Sequence, residues 1–297
     1  MKGRRLDGVL LLDKAVGMAS NGALQSAKRL FGAAKAGHAG TLDPLASGLL
    51  PILFGEATKL SQLALDADKE YVAQALLGVT TSTGDAEGEV LERRPCEVRA
   101  DALEPVLARF RGDIDQVPPM HSALKHEGRP LYALAREGRE VPRAPRRVRI
   151  YELEAGRLEG DRLALRVRCS KGTYIRTLVA DLGEALGCGA HLAALRRTAA
   201  GGFRVEAAAT LEALHALSPE GRDRLLLPLQ SLLAGLPKVD LPGDLAERFR
   251  RGQILHLSET PEGACSVYAD HGLLLGLAEG RAHGELRPRR LINYANS

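Results

Sequence analysis

Strand-like and helix-like segments follow one another along this chain without the regular strand–helix–strand rhythm of a parallel sheet. Residues 8–12, 49–54 and 71–77 read as strands, and 148–153 and 163–167 as two more with Gly160-Asp161 near their connection. Leu24, Ala27, Leu30 and Phe31 recur at helical spacing behind a cap at Ser20 or Asn21, with a stop at Gly32. Residues 56–65 read as helical. Leu103, Val106, Leu107 and Phe110 mark an amphipathic helix, and Ile175, Leu178, Val179 and Leu182 mark another across 174–186. Residues 33–48 read as a loop rich in glycine and small side chains. Elements mixed in this way predict an α+β fold, with a central mixed or antiparallel sheet flanked by helices.

The pattern changes after Leu236. Pro237, Pro242 and Gly243 punctuate the chain there, and the apolar runs that follow, at 254–257, 266–268, 273–277 and 290–292, are short and separated by glycine and proline. The expected division is a main domain over 1–236 and a small β-barrel over 237–297.

Composition narrows the function classes. Hydrophobic residues make up 45% and charged residues 26% of the 297, the balance of a soluble globular protein. No apolar run approaches the roughly 20 residues of a membrane helix. The apolar stretch 9–12 behind the basic start Met1-Lys2-Gly3-Arg4-Arg5 is shorter than a signal-peptide core of about 7–15 residues. A cytoplasmic protein is expected. Cys96, Cys169, Cys188 and Cys265 form no Cys-x-x-Cys pair, so no metal site is expected. The net charge of +4 says little about partners, but its distribution says more. Between His121 and Ile150, eight basic side chains, mostly arginine, stand against Glu127, Glu137 and Glu140, a stretch suited either to phosphate or to plain solvation.

The segment 37–48, Gly-His-Ala-Gly-Thr-Leu-Asp-Pro-Leu-Ala-Ser-Gly, carries one carboxylate among three glycines. Taken alone, Asp43 before Pro44 fits a helix N-cap followed by proline at the first helical position. The segment lacks the Gly-Lys-Ser/Thr ending of a phosphate loop.

This segment resembles the signature of the TruB family of tRNA pseudouridine-55 synthases, and further matches occur in the family's order. They are Asp13-Lys14 with Gly17 and Ser20; Lys69-Glu70-Tyr71 leading to Leu77-Gly78; Gln116-Val117-Pro118-Pro119 with Ser122-Ala123-Leu124-Lys125; Lys171-Gly172-Thr173-Tyr174-Ile175-Arg176; and His191-Leu192 with Leu195-Arg196-Arg197-Thr198. The likeness runs from about residue 10 to 203, and 273–280 and 284–291 are similar to the end of the family's PUA domain, an RNA-binding barrel. The continuation Leu45-Ala46-Ser47-Gly48-Leu49-Leu50-Pro51 looks like the bacterial, stand-alone branch rather than the dyskerin-like relatives. Ala15, Ala19 and His121 depart from the usual proline, threonine and tyrosine.

The resemblance implies a fold, a reaction and a site. The fold is a pseudouridine synthase catalytic domain with a PUA-like domain over 237–297. The reaction is isomerisation of uridine 55 in the T-loop of tRNA, with the T-arm stem-loop as partner, no cofactor, no membrane and no obligate protein partner, the enzyme being a monomer. Reactant and product are isomers, so neither a redox group nor a nucleotide energy source is called for. Asp43 is implied as the essential carboxylate and Arg176 as its partner, a guanidinium that favours the ionised form. The base must leave its stack to expose the glycosidic bond. Tyr71 is implied as the ring beneath it, Tyr174 and Leu195 as walls of the pocket, His38 as a contact to the loop nucleotides, and Lys14 as support for the active-site loop. A non-catalytic tRNA-binding protein would need no carboxylate beside a polyanion, and the set Asp43, Tyr71, Tyr174 and Arg176 argues against it. A synthase acting on another RNA is the remaining alternative.

Overall fold

The computed structural model describes residues 3–122 and 124–294. Met1 and Lys2 of the basic start, and Ala123 of the proline-containing motif, lie outside the described residues.

The main sheet is assembled from β1 (Gly8–Lys14), β2 (Ala36–His38), β3 (Ala46–Phe54), β4 (Lys69–Leu77), β5 (Gly112–Gln116), β6 (Arg146–Glu159), β7 (Arg162–Cys169), β8 (Ala190–Ala200) and β9 (Phe203–Arg204). Its order is β1-β3-β8-β4-β7-β6-β5, with β2 pairing with β3 and β9 with β8. Only the β8–β3 contact is parallel; the other ladders are antiparallel, so the sheet is mixed.

The apolar runs in β1 and β3 are explained by burial on both faces. Leu10 and Leu12, with Leu50, Ile52 and Phe54, pack into one core against α1 (Ser20–Leu30), α3 (Ala100–Ala108) and α5 (Ile175–Ala185). Val9 and Leu11, with Leu49 and Leu53, pack into a second core that includes Leu274, Leu277 and Ile292 from the far end of the chain. Alternate side chains point to opposite faces, so a strand covered on both sides reads as an unbroken apolar run. Two further short helices are α2 (Ser61–Asp66) and α4 (Leu131–Arg136). Later in the chain come α6 (Leu211–Ala216) and α7 (Pro219–Asp223), capped by the hydroxyls of Thr210 and Ser218, which accept from the N–H groups of Ala213 and Gly221.

A five-stranded sheet follows, made of β10 (Lys238–Leu241), β11 (Leu255–His256), β12 (Gly263–Ala269), β13 (Leu273–Gly280) and β14 (Glu285–Leu291) in the order β10-β12-β13-β14-β11. Helix α8 (Gly243–Arg250) closes it and places Ala246 and Phe249 in its own core. The reading of this region as short strands alone is corrected by α8.

Other corrections concern caps and strands. Neither Ser20 nor Asn21 caps α1; Ala19 occupies that position without a side-chain bond, and the Ser20 hydroxyl is spent on Leu42. The loop read at 33–48 contains β2 and the start of β3. The central strand β8 carries five alanines and two arginines and gave no strand signal, because such residues have low β preference; pairing on both edges overrides it. No helix among the described residues is long and apolar enough to cross a membrane.

Candidate active site

Asp43 lies in the connection between β2 and β3. No helix follows it, so the helix-cap reading fails. Asp43 opens a turn instead: the Ala46 N–H donates to the Asp43 carbonyl at 3.0 Å, with Pro44 at the second position, where its fixed φ belongs. The loop is tied down at several points. The Ser20 hydroxyl donates to the Leu42 carbonyl at 2.8 Å and accepts from the Leu42 N–H at 2.7 Å. The Gly17 N–H donates to the Pro44 carbonyl at 2.7 Å. At Gly48, with φ +98°, a Cβ would drive into the Arg197 backbone, so glycine is required where β3 and β8 run side by side.

Arg176 enters from the first turn of α5. Its Nη2 lies 3.1 Å from Asp43 Oδ2 and its Nε 3.5 Å from Asp85 Oδ2. Nη1 donates to the Thr83 carbonyl at 3.1 Å and Nη2 to the His121 carbonyl at 2.6 Å. The two carboxylates differ in exposure. The Asp85 side chain is 5% exposed and also accepts from the Thr83 hydroxyl and the Glu87 N–H, whereas the Asp43 side chain is 42% exposed. One guanidinium thus has a buried anchor on one side and a solvent-facing carboxylate on the other.

That carboxylate faces a cleft of about 290 Å³ lined by Tyr71, Tyr174, Leu195, Lys69, Arg176 and Arg197, among others. Tyr71 comes from β4 and is buried; burial pushes its hydroxyl above the ordinary phenol range, and the Arg197 charge offsets part of that rise. Leu195 and Arg197 come from β8. Tyr174 precedes α5, and its backbone is clamped by buried Gln116: the amide oxygen accepts from the Tyr174 N–H at 3.0 Å, and the amide nitrogen donates to its carbonyl at 3.3 Å.

Five of the seven residues singled out in the sequence, Asp43, Tyr71, Tyr174, Arg176 and Leu195, therefore share one cleft. The other two stand behind it. Lys14 is buried and donates to the carbonyls of Ala15 and Met18 at 2.9 and 2.6 Å; burial lowers its ammonium to about 8. His38 is half-buried on β2 with its Nδ1 unpartnered; burial and then the Arg197 charge hold its ring below the ordinary histidine range. Sequence reasoning missed Asp85 and gave no role to Gln116, Lys69 or Arg197, although the last three fall inside the matched motifs. Asp85 carries no local signal, since a buried acid in an irregular turn has no periodicity to betray it.

The basic stretch after His121 is less free than its count suggests. Arg129 pairs with Glu137, Arg143 with Glu140, and Arg147 and Arg149 with Asp115 and Asp113 across the β5–β6 ladder. Among the described residues no group of His, Cys, Asp and Glu is arranged to hold a metal. The four cysteines are free thiols.

The family model described as TruB family pseudouridylate synthase (N terminal domain) matches residues 28–175; the tRNA pseudouridylate synthase B C-terminal domain matches 176–234; and Pseudouridine synthase II TruB, C-terminal, matches 237–292. The tRNA pseudouridine synthase B of Azoarcus sp. (strain BH72) is 56% identical over 289 residues, 97% of this chain and 96% of that protein. That of Dechloromonas aromatica (strain RCB) is 55% identical over 293 residues, covering 99% and 98%. Among solved structures, the crystal structure of a Cbf5-Nop10-Gar1 complex contains a chain that superposes with a TM-score of 0.75 at 27% identity, over 96% of this chain and 85% of that one. With near-complete coverage at more than half identity, and three successive domain matches, the chain belongs to the TruB family of pseudouridylate synthases.

Proposed function

We propose that this tRNA pseudouridine synthase isomerises uridine 55 in the T-loop of tRNA, taking the flipped base into the cleft beside Asp43. The observation that carries the reading is the Asp43–Arg176 pair, 3.1 Å apart at a cleft walled by two tyrosines. In the reaction the N1–C1′ bond breaks with its electron pair on the uracil, the ring turns, and C5 joins C1′. The C5 proton leaves and N1 takes one up, so atoms and charge balance and no cofactor is consumed. The carboxylate serves as the nucleophile, at C1′ of the sugar or at C6 of the ring; both routes need it ionised and aimed, which is what a guanidinium partner provides.

Tyr71 lies under the base and receives the C5 proton, Tyr174 and Leu195 wall the ring, His38 meets the rearranged loop nucleotides, and Lys14 stiffens the turn before α1. Residues 1–236 carry the chemistry, and 237–297 grip the T-arm in the manner of a PUA domain. The enzyme acts as a cytoplasmic monomer without an obligate protein partner. Asp43→Asn keeps the side-chain shape and removes the charge. Tritium release from C5-labelled uridine in tRNA should vanish while filter binding changes little, and substantial residual turnover would sink the nucleophile assignment.

A further inference from the structure

Arg197 is, by volume, the largest fully buried side chain among the described residues, at 1% exposure. Its Nε donates to the Leu49 carbonyl at 2.7 Å and its Nη2 to the Gly40 carbonyl at 3.1 Å. Gly40 and Leu49 stand on either side of Asp43, so one guanidinium holds both ends of the loop that carries the carboxylate. In the sheet Arg197 is the neighbour of Tyr71 on β4 and of Gly48 on β3, and its side chain lines the cleft.

What it lacks is a counter-ion. Among the described residues Arg197 forms no ion pair with an aspartate or glutamate. The groups whose charges it acts on are Tyr71 and Lys69 on β4, His38 on β2 and Lys14 on β1, while Asp43 lines the same cleft without pairing with it. Lys14 and Lys69 use their ammonium donors on backbone carbonyls of neighbouring turns. A buried cation without a carboxylate is costly unless negative charge arrives from outside the protein. Negative charge does arise in this cleft during the reaction, on the uracil that keeps the electron pair of the broken N1–C1′ bond.

We infer that Arg197 supplies the positive potential that stabilises the detached uracil, while holding the Tyr71 hydroxyl and the Asp43 loop in register beneath it. Fixed charge aimed at charge that develops only in the transition state accelerates the step without tightening substrate binding. The inference rests on Asp43 and Tyr71 acting on the uridine as proposed above.

The test uses the full chain with Arg197→Gln, which keeps N–H donors for the two carbonyls and loses the charge, and Arg197→Lys, which keeps the charge. Single-turnover tritium release at saturating enzyme, tRNA filter binding and thermal unfolding are measured for each. Arg197→Gln should be slowed about 100-fold or more with affinity within about threefold of wild type, and Arg197→Lys should stay within about tenfold of the wild-type rate at pH 7. A lysine buried at this point among Lys14, Lys69 and His38 is drawn down as its neighbours are, so the Lys-to-wild-type rate ratio should fall above about pH 8. Arginine keeps its charge throughout, and Lys14 and Lys69 titrate in both proteins, so they cancel in the ratio.

A glutamine variant turning over at near wild-type speed overturns the inference, and so does a lysine variant as slow as the glutamine one. If the glutamine variant does not fold, the lysine variant decides alone, and an inactive protein or a ratio flat with pH overturns the assignment. Should Asp43→Asn itself retain turnover, the parent reading fails; an inactive Asp43→Asn beside a fast Arg197→Gln defeats only this inference.

Discussion

Replacing either carboxylate that Arg176 holds should separate catalysis from stability. Asp85 is buried at 5% exposure and Asp43 is open at 42%, yet both reach the same guanidinium, at 3.5 and 3.1 Å. Asp85→Asn retains an oxygen for the Thr83 hydroxyl and the Glu87 N–H but removes the buried counter-charge of Arg176. Breaking a buried pair from one side costs about 3–5 kcal/mol. At about 2–4 °C per kcal/mol for a domain of this size, the melting temperature should fall by roughly 6–20 °C. The Asp43 side of the bridge is screened by water, so Asp43→Asn should cost about 1 kcal/mol or less, a fall of at most about 4 °C. Its effect on the chemical step should be near total, whereas Asp85→Asn should slow the step by loosening Arg176. Differential scanning calorimetry with single-turnover tritium release measures both axes. Equal destabilisation by the two substitutions would refute the argument that exposure decides which carboxylate anchors Arg176.

Other perturbations follow from the same geometry. Tyr71→Phe should bind tRNA like wild type and be nearly inactive, because it keeps the stacking face, which contributes about 1–3 kcal/mol, and loses only the hydroxyl, whereas Tyr71→Leu should also lose affinity; a Phe variant at near wild-type single-turnover rate would leave Tyr71 as a platform only. Deleting residues 237–297 should weaken tRNA binding more than the saturated rate and should also lower the melting temperature, since Leu274, Leu277 and Ile292 share a core with Leu49 and Leu53; an unchanged melting temperature would contradict that shared core. Lys69, lowered by burial from 10.5 to about 8, should add stability as pH rises from 8 towards 10.5, because over that range the unfolded chain still holds a proton that the folded chain has released. Denaturant titrations should therefore show Lys69→Met gaining less stability than wild type between pH 8 and 10, by about 2 kcal/mol, and parallel curves would exclude the effect.

Much of this site was legible because its chemistry is concentrated in short, distinctive motifs. The stretch around Asp43 and the one around Arg176 each name their residue, and the family likeness joined them across more than a hundred residues. Apolar runs revealed β1 and β3 because both faces are covered. β8 stayed hidden, since Ala190–Ala200 becomes a strand through its neighbours rather than through its own preferences. The neutralisation of the basic stretch was hidden too, because Asp113 and Asp115 sit outside it in sequence and opposite it in space. Asp85 and the unpaired state of Arg197 are facts of three-dimensional burial, which no one-dimensional pattern contains.

The position of β8 also sets an order of events during synthesis. It is the strand that joins β3 to β4, and it emerges well over a hundred residues after Asp43. At about 5–20 residues per second, that gap lasts roughly seven to thirty seconds. Until it closes, Ala46–Gly48 of β3 and the facing edge of β4 are open ladders of unpaired backbone groups, the kind of edge that recruits stray strands. For most of that interval the chain carries Asp43 without Arg176, its partner across the cleft, and the sheet that brings the two together is complete only once β8 slots into its middle.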